Sequence, residues 1–260
     1  MRPSRCAACG RPIEKGEAWR AFFEEPDGEA AKGRSVSWSA TLCPECGESV
    51  EQAARDAGAP LTYPDFSAVE SHAEGLHQVF SYGDIRDVPL RMAGVYQPGN
   101  AAVAVEVAKV LRTRGFAISD DAIRRGLAAA HWQGRFEVVD EHPVTIVDGG
   151  HNEQGAAALA SSLRTYFPEG GVVFAMSVLR DKNYRAMIED VLPLARAFYC
   201  FEPPDNERAL AADDLAEAIR AAADERAGDF STCVAAPQAV ACSTPCEAVL
   251  AARAAAGEDG

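Results

Sequence analysis

Two rhythms of apolar and polar residues divide this chain. From Glu137 onward, short apolar runs take turns with amphipathic stretches. "VTIVD" precedes "AAALASSLRTYF", "GVVFAMSV" precedes "NYRAMIEDVLPLA", "AFYCF" precedes "ADDLAEAIRAAADERA", and "FSTCVA" precedes "PCEAVLAARAAAG". Mostly apolar strands, each followed by a helix of 3.6-residue period, predict an α/β fold whose parallel sheet is covered on both faces. Right-handed crossovers then give a Rossmann-like layout. Ligands of such sheets bind beyond the carboxyl ends of the strands.

Residues 59–136 carry a helical lead-in. "SAVESHAEGLHQVF" has a helical pattern, and "YGDIRDVPLRMAG" reads as extended chain. In "YQPGNAAVAVEVAKVLRTRG", Asn100 is a good N-cap, Val103, Val107, Val110 and Leu111 share one face, and Gly115 ends the helix. A second helix starts near Ser119, with Asp120 and Asp121 where the helix dipole favours acidic groups, and runs through "AIRRGLAAAHW".

The first 58 residues differ. "EAWRAFFEE" and "RSVSWSATL" predict two strands, with "PDGEAAKG" as a turn-rich link and "GESVEQAARDAG" as a trailing helix. They lie among two CxxC pairs, Cys6 with Cys9 and Cys43 with Cys46. Each pair turns two thiolates toward one point, and four thiolates suit a closed, structural, tetrahedral Zn²⁺ site. A module of about sixty residues has little core of its own, so bound metal would supply much of its folding free energy. The rival reading is a redox CxxC, which normally occurs once and in a βαβ setting. Zinc ribbons serve protein contacts, nucleic-acid contacts or plain stability, and these residues do not choose among them.

Composition narrows the partners. The chain of 260 residues is 48% hydrophobic and 25% charged, an ordinary globular balance. Its net charge of −14 argues against non-specific nucleic-acid binding. No run of eighteen apolar residues suggests a membrane span. The start "MRPSRCAACG" has no apolar signal core, so the expected setting is the reduced cytoplasm, where eight cysteines do not imply a disulfide framework. Cys200, Cys233, Cys242 and Cys246 read as small buried hydrophobes.

"VTIVDGGHNEQG" holds the most concentrated chemistry. Asp148 at a strand end can accept hydrogen bonds from a ribose or an amine, or approach a metal-bound nucleotide. The two glycines that follow let a backbone come close. Asn152 can cap the next helix, whose N-terminus attracts anions. His151 can donate to an anion or act as a base near neutral pH. A plain strand-to-helix turn with no ligand explains the same residues. Arg135 in "WQGRF" and Arg180, Asp181 and Lys182 in "LRDKNY" lie near the same sheet edge, and this convergence favours a ligand crevice.

Four ordered motifs, "MAGVYQPGNAAVAVEVAKVL", "GLAAAHWQGRFEVV", "VDGGHNEQGAAALA" and "MSVLRDKNYRAMIEDV", resemble the C-terminal part of bacterial folylpolyglutamate synthase/dihydrofolate synthase, of the Mur ligase superfamily, over roughly residues 65 to 255. The resemblance implies a remnant of the Mur ligase central domain over 59–136 and the C-terminal Rossmann-like domain over 137–260. It implies ATP with Mg²⁺, L-glutamate and a folate as partners, and an amide formed through an acyl phosphate. Matched motif by motif, it places ATP contacts at Asn100, Arg135 and Asp148, and substrate contacts at His151 and Lys182. The family's D-G-A-H-N has Gly149-Gly150 here.

Two departures stand out. No Gly-Lys followed by Ser or Thr occurs, so the family's phosphate-cradling loop has no counterpart. The central-domain carboxylate and histidine that bind metal also have none, and the cysteine pairs stand in their place. The chain is therefore expected to be a C-terminal segment with both ends altered and incomplete as a catalyst alone. The competing expectation is a non-catalytic nucleotide- or partner-binding module.

Overall fold

A computed structural model describes the backbone at residues 4–5, 12–13, 19–22, 39–42, 44–226 and 236–257, with side chains from residue 48 onward. The chain sorts into two compact units. One comprises Met1–Glu70, Phe80–Val88 and Pro98–Leu127, and the other Ser71–Val79, Pro89–Gln97 and Ala128–Gly260.

The first unit opens with two antiparallel pairs. β1 (Ser4–Arg5) pairs with β2 (Pro12–Ile13), and β3 (Trp19–Phe22) with β4 (Ser39–Leu42). The latter two fall inside the two stretches expected to be strands. α1 (Pro44–Asp56) lies against β3 and β4 and starts earlier than "GESVEQAARDAG" suggests. Proline's fixed φ suits the first helical position, so Pro44 draws the start upstream and Cys46 falls in the first turn. Cys6, Cys9 and Cys43 lie outside the described residues, and of Cys46 only the backbone is described. No group of three or more metal-ligating side chains comes together among the described residues.

After a short 3₁₀ turn at Phe66–Ala68, the stretch expected to be helical is instead β5 (Glu70–Glu74) and β6 (His77–Tyr82), followed by β7 (Ile85–Leu90). These strands form a sheet in chain order, and their residues are divided between the two units. Gly75, at φ +56°, turns the chain back where a helix would have continued. β6 buries Phe80 and Tyr82, and aromatic side chains suit a half-buried pleat.

α2 (Gln97–Thr113) begins three residues before Asn100, so that residue sits exposed in the first turn and is not the N-cap. Proline at the second helical position explains the early start. The fully buried stripe is Ala101, Ala102 and Val105, while Val103, Val107, Val110 and Leu111 are half-buried. Ser119 caps α3 (Asp120–Ala129), its Oγ accepting the Ala122 N–H at 3.1 Å. This helix stops before His131 and Trp132, which stand in a loop and are exposed.

The second unit contains the expected alternation with one change. β8 (Glu137–Glu141) and β9 (Val144–Val147) form an antiparallel hairpin, so "VTIV" does not open the parallel series. Only His142 and Pro143 join them, and so short a link allows only an antiparallel pair. α4 (Glu153–Tyr166) leads to β10 (Val172–Met176), α5 (Tyr184–Val191), β11 (Ala195–Cys200), α6 (Ala212–Arg226), β12 (Gln238–Ala241) and α7 (Pro245–Ala256). β10, β11 and β12 are parallel and adjacent in that order. "FSTCVA" lies outside the described residues, and the strand found in its region is Gln238–Ala241.

Phe198, Ile188, Leu192, Leu215 and Ile219 form the fully buried centre, with Phe174 stacked on Phe198 at 5.0 Å. Ala248 and Ala252 of α7 are buried where that helix meets β10 and β11. Small residues there let helix and sheet approach closely. Cys200 and Cys242 are buried as expected, whereas Cys246 is exposed. Arg253 of α7 donates to Thr145 Oγ1 and Asp140 Oδ2, each at 2.7 Å, and so ties the β8–β9 hairpin to the last helix. Among the described residues no helix is long and apolar enough to cross a membrane.

Candidate functional site

The turn after β9 is built by hydrogen bonds to backbone groups. Asp148 accepts the Gly150 N–H on Oδ1 at 2.7 Å and the Phe136 N–H on Oδ2 at 2.9 Å. Gly149 N–H donates to Gly134 O at 2.7 Å. The segment Gly134–Phe136 is thus zipped to Asp148–Gly150. Gly134 at φ +67° and Phe136 at φ +50° both occupy the left-handed region. That conformation is uncommon for a bulky residue and is held only where surroundings over-determine it. Phe136 is fully buried and stacks on Tyr166 at 5.6 Å, which supplies the constraint. With its neighbours fixed on both sides, Arg135 projects from the turn and is exposed.

Close backbone approach explains the glycines. A Cβ on Gly150 would stand 2.8 Å from Asp148 Oδ1. One on Gly155, in the first turn of α4, would stand 2.9 Å from Gly150 Cα. Asn152 caps α4 as expected, its Oδ1 accepting the Gly155 N–H at 2.8 Å. His151 is exposed, and its Nδ1 lies 3.1 Å from Gly149 O. Glu137 braces the other strand of the zipper, with Oε2 accepting the Gly134 N–H at 2.8 Å and Oε1 2.9 Å from His131 Nε2. The Gly134 amide first, and His131 second, hold the Glu137 carboxyl below its usual range.

Lys182 stands in the turn between β10 and α5 and is partly exposed. Asn183 caps α5 and donates from Nδ2 to Glu153 Oε1 at 2.9 Å, which joins the Lys182 turn to the start of α4 beside His151. Arg180 and Asp181 are used structurally. Arg180 donates from Nε and Nη2 to Ala209 O at 3.1 and 2.9 Å, and Asp181 pairs with Arg208. Arg208 holds the Asp181 carboxyl below the usual carboxylate range.

Among the expected residues, Arg135, Asp148, His151 and Lys182 all belong to the second unit, on three turns: that of Arg135 is zipped to that of Asp148 and His151, and the Asn183–Glu153 bond joins the Lys182 turn to the start of α4. Asn100 belongs to the first unit. The structure adds a residue that the sequence reading passed over. Half-buried Tyr96 lies within electrostatic reach of both Asp148 and Arg135. Burial raises its phenol above the ordinary value, Asp148 raises it further, and Arg135 lowers it. Its signal was available in "VYQPGN", where Tyr96 stands four residues before Asn100, but an aromatic two residues from a glycine is indistinguishable from a turn residue without the partner loops.

Residues 134–257, which contain Arg135, Asp148, His151 and Lys182, match the family model described as Mur ligase, glutamate ligase domain. The chain is similar to the dihydrofolate synthase/folylpolyglutamate synthase of Bacillus subtilis, 38% identical over 133 residues, which cover 51% of this chain and 31% of the relative. It is 34% identical over 151 residues to the folylpolyglutamate synthase of Lacticaseibacillus casei, covering 56% of this chain and 35% of that one. Among solved structures, Mycobacterium tuberculosis folylpolyglutamate synthase complexed with ADP superposes with a TM-score of 0.60 at 26% identity, over 83% of this chain and 53% of that one. The chain thus spans about a third of the length of these curated relatives.

Proposed function

We propose that this chain is the nucleotide- and glutamate-side portion of an ATP-dependent ligase of the folylpolyglutamate/dihydrofolate synthase type. The observation that carries this reading is the zipped pair of turns at Gly134–Phe136 and Asp148–Gly150. It spends backbone amides and two glycines on fixing one carboxylate, and leaves Arg135 exposed beside it. Such preorganisation is the way a rigid scaffold presents a carboxylate and a guanidinium to a ligand. The relative bound to ADP supports the choice of ligand.

In this reading Asp148 and Arg135 of the second unit contact ATP, and His151 and Lys182 of the same unit face the glutamate. The donor set fits a nucleotide: a guanidinium for phosphate, a carboxylate with free lone pairs for ribose hydroxyls, and an open glycine backbone between them. When bound, ATP with Mg²⁺ supplies the phosphoryl group that activates a folate carboxylate. Because no Gly-Lys-Ser or Gly-Lys-Thr occurs in these residues, the chain alone binds nucleotide but transfers no glutamate. Phosphoryl transfer rests on positioning and charge neutralisation, and the phosphate-cradling loop provides much of both.

Calorimetric titration with Mg-ATP is the test. Binding that is lost in Asp148→Ala supports the assignment, and equal binding by both proteins defeats it. Incorporation of radiolabelled glutamate by the purified chain at a normal enzymatic rate would defeat the claim of incompleteness.

A second reading gives the N-terminal cysteines a role in recruiting a partner to a nucleotide-sensing domain in the cytoplasm. It draws on the β1–β2 and β3–β4 pairs, which lie in sequence between and beside Cys6, Cys9, Cys43 and Cys46 in the manner of a ribbon holding structural Zn²⁺. Native mass spectrometry of metal-replete protein should find one zinc per chain, and a Cys6→Ser, Cys9→Ser variant should lose it. Metal-free wild-type protein would refute this reading.

A further inference from the structure

The segment 93–97 is held in place by the helix that begins at the candidate site. Tyr166, in the last turn of α4, donates its hydroxyl to Ala93 O at 2.6 Å. Buried Gln78 donates to the same tyrosine oxygen at 2.6 Å. Ser162, fully buried on α4, accepts the Val95 N–H at 3.2 Å and donates to Ala158 O at 2.9 Å. Tyr166 also stacks on Phe136, whose amide holds Asp148. One helix therefore fixes both the Asp148 turn and the segment that carries Tyr96.

Within that segment, Gly94 shapes the tyrosine's position. A Cβ at Gly94 would fall 2.7 Å from Tyr96 Cε1, 2.8 Å from Cζ and 3.2 Å from the hydroxyl oxygen. The ring thus lies directly on the Gly94 backbone, which only a residue without a side chain permits. Among the described residues the Tyr96 hydroxyl makes no hydrogen bond, although the ring is half-buried and both Asp148 and Arg135 act on it. Both Asp148 oxygens already accept a backbone amide. A half-buried phenol packed on the Gly94 backbone, its O–H uncommitted among the described residues and within electrostatic reach of a carboxylate and a guanidinium, suits a hydrogen bond to a ligand that the other two groups also contact.

We propose that Tyr96 is a nucleotide-contacting residue, whose hydroxyl donates to an oxygen of the nucleotide held by Asp148 and Arg135 and whose orientation is set by Gly94 and α4. The proposal rests on the nucleotide reading given above.

The test is calorimetric titration of Mg-ADP into the full chain, its Tyr96→Phe and Asp148→Ala variants, each checked for an unchanged thermal transition. Tyr96→Phe keeps the ring on Gly94 and removes only the hydroxyl. It should weaken ADP binding roughly threefold to tenfold, the loss expected for one hydrogen bond. ADP should also perturb the near-ultraviolet absorbance of a tyrosine in the wild type, and this difference signal should vanish in Tyr96→Phe. If Asp148→Ala loses binding while Tyr96→Phe keeps both affinity and difference spectrum, the Tyr96 assignment is overturned and the nucleotide site stands. If the wild type does not bind ADP, or Asp148→Ala binds as tightly, the nucleotide reading fails and this inference with it. Gly94→Ala, whose methyl would push on the ring and crowd the hydroxyl without removing it, should lower affinity at least as far as Tyr96→Phe does.

Discussion

Two strand-to-helix turns in the second unit invite comparison. The turn at Asp148–Asn152 and the turn at Arg180–Asn183 both end in an asparagine cap, and the Asn183–Glu153 bond joins them. They are stabilised by opposite means. The first is secured by backbone amides, close glycine contacts and a second strand of backbone from Gly134 to Phe136. Its charged side chains, apart from Asp148, stay exposed. The second is secured by its own charged side chains, because Arg180 is committed to Ala209 O and Asp181 to Arg208. A gathering of polar residues at a sheet edge is therefore not in itself a binding site. Where the backbone does the structural work, as at Asp148–Gly150, more of the side chains remain for a ligand.

Breaking the first turn should have the largest consequence. Phe136→Ala removes a fully buried ring that fixes a left-handed backbone, and it should lower stability by about 3–5 kcal/mol, read from urea unfolding of the full chain. Gly155→Ala forces a Cβ against the Gly150 backbone and should destabilise by roughly 1–3 kcal/mol in the same assay. The two caps sharpen the comparison from the other side. Asn152→Ala and Asn183→Ala should each lose about 1 kcal/mol, but only Asn152→Ala should also disturb the position of Asp148 and weaken nucleotide binding. If both weaken it equally, the two turns are functionally one.

The smallest expected effect carries a pH signature. The depressed Glu137 carboxyl contributes stability that is present above its ordinary unfolded value and is lost as pH falls through its lowered folded value. Glu137→Gln should therefore be less stable than the wild type at neutral pH, and the difference in urea midpoints should close as acidification proceeds below the usual carboxylate range. A difference that widens on acidification would contradict the hydrogen bond to Gly134.

Much of this site could be read from residue order alone. Asp148 at a strand end, Asn152 as a cap and a helix after it follow from local chemistry, because each depends on neighbours within a few positions. The parallel arrangement of β10, β11 and β12 followed in the same way from short apolar runs separated by amphipathic helices. What failed depended on distant partners or on a single turn. "SAVESHAEGLHQVF" has helical spacing, yet the left-handed turn at Gly75 makes it two strands. The antiparallel pairing of β9 was encoded in the two-residue link at His142-Pro143, and the rhythm of the following strands obscured it. Asn100 reads as a cap by residue type, but Pro98 moves the helix start ahead of it. Tyr96 was not legible because its role depends on Gly94 beneath it and on Asp148 some fifty positions away.

Hydrogen–deuterium exchange of the full chain with and without saturating Mg-ADP tests the difference between the two turns most directly. The account predicts slowed exchange in peptides spanning 94–97, 134–136 and 148–155, and no change across 179–183. Protection confined to 179–183, or no protection in the Gly134–Phe136 and Asp148–Gly150 segments at saturating nucleotide, would contradict it.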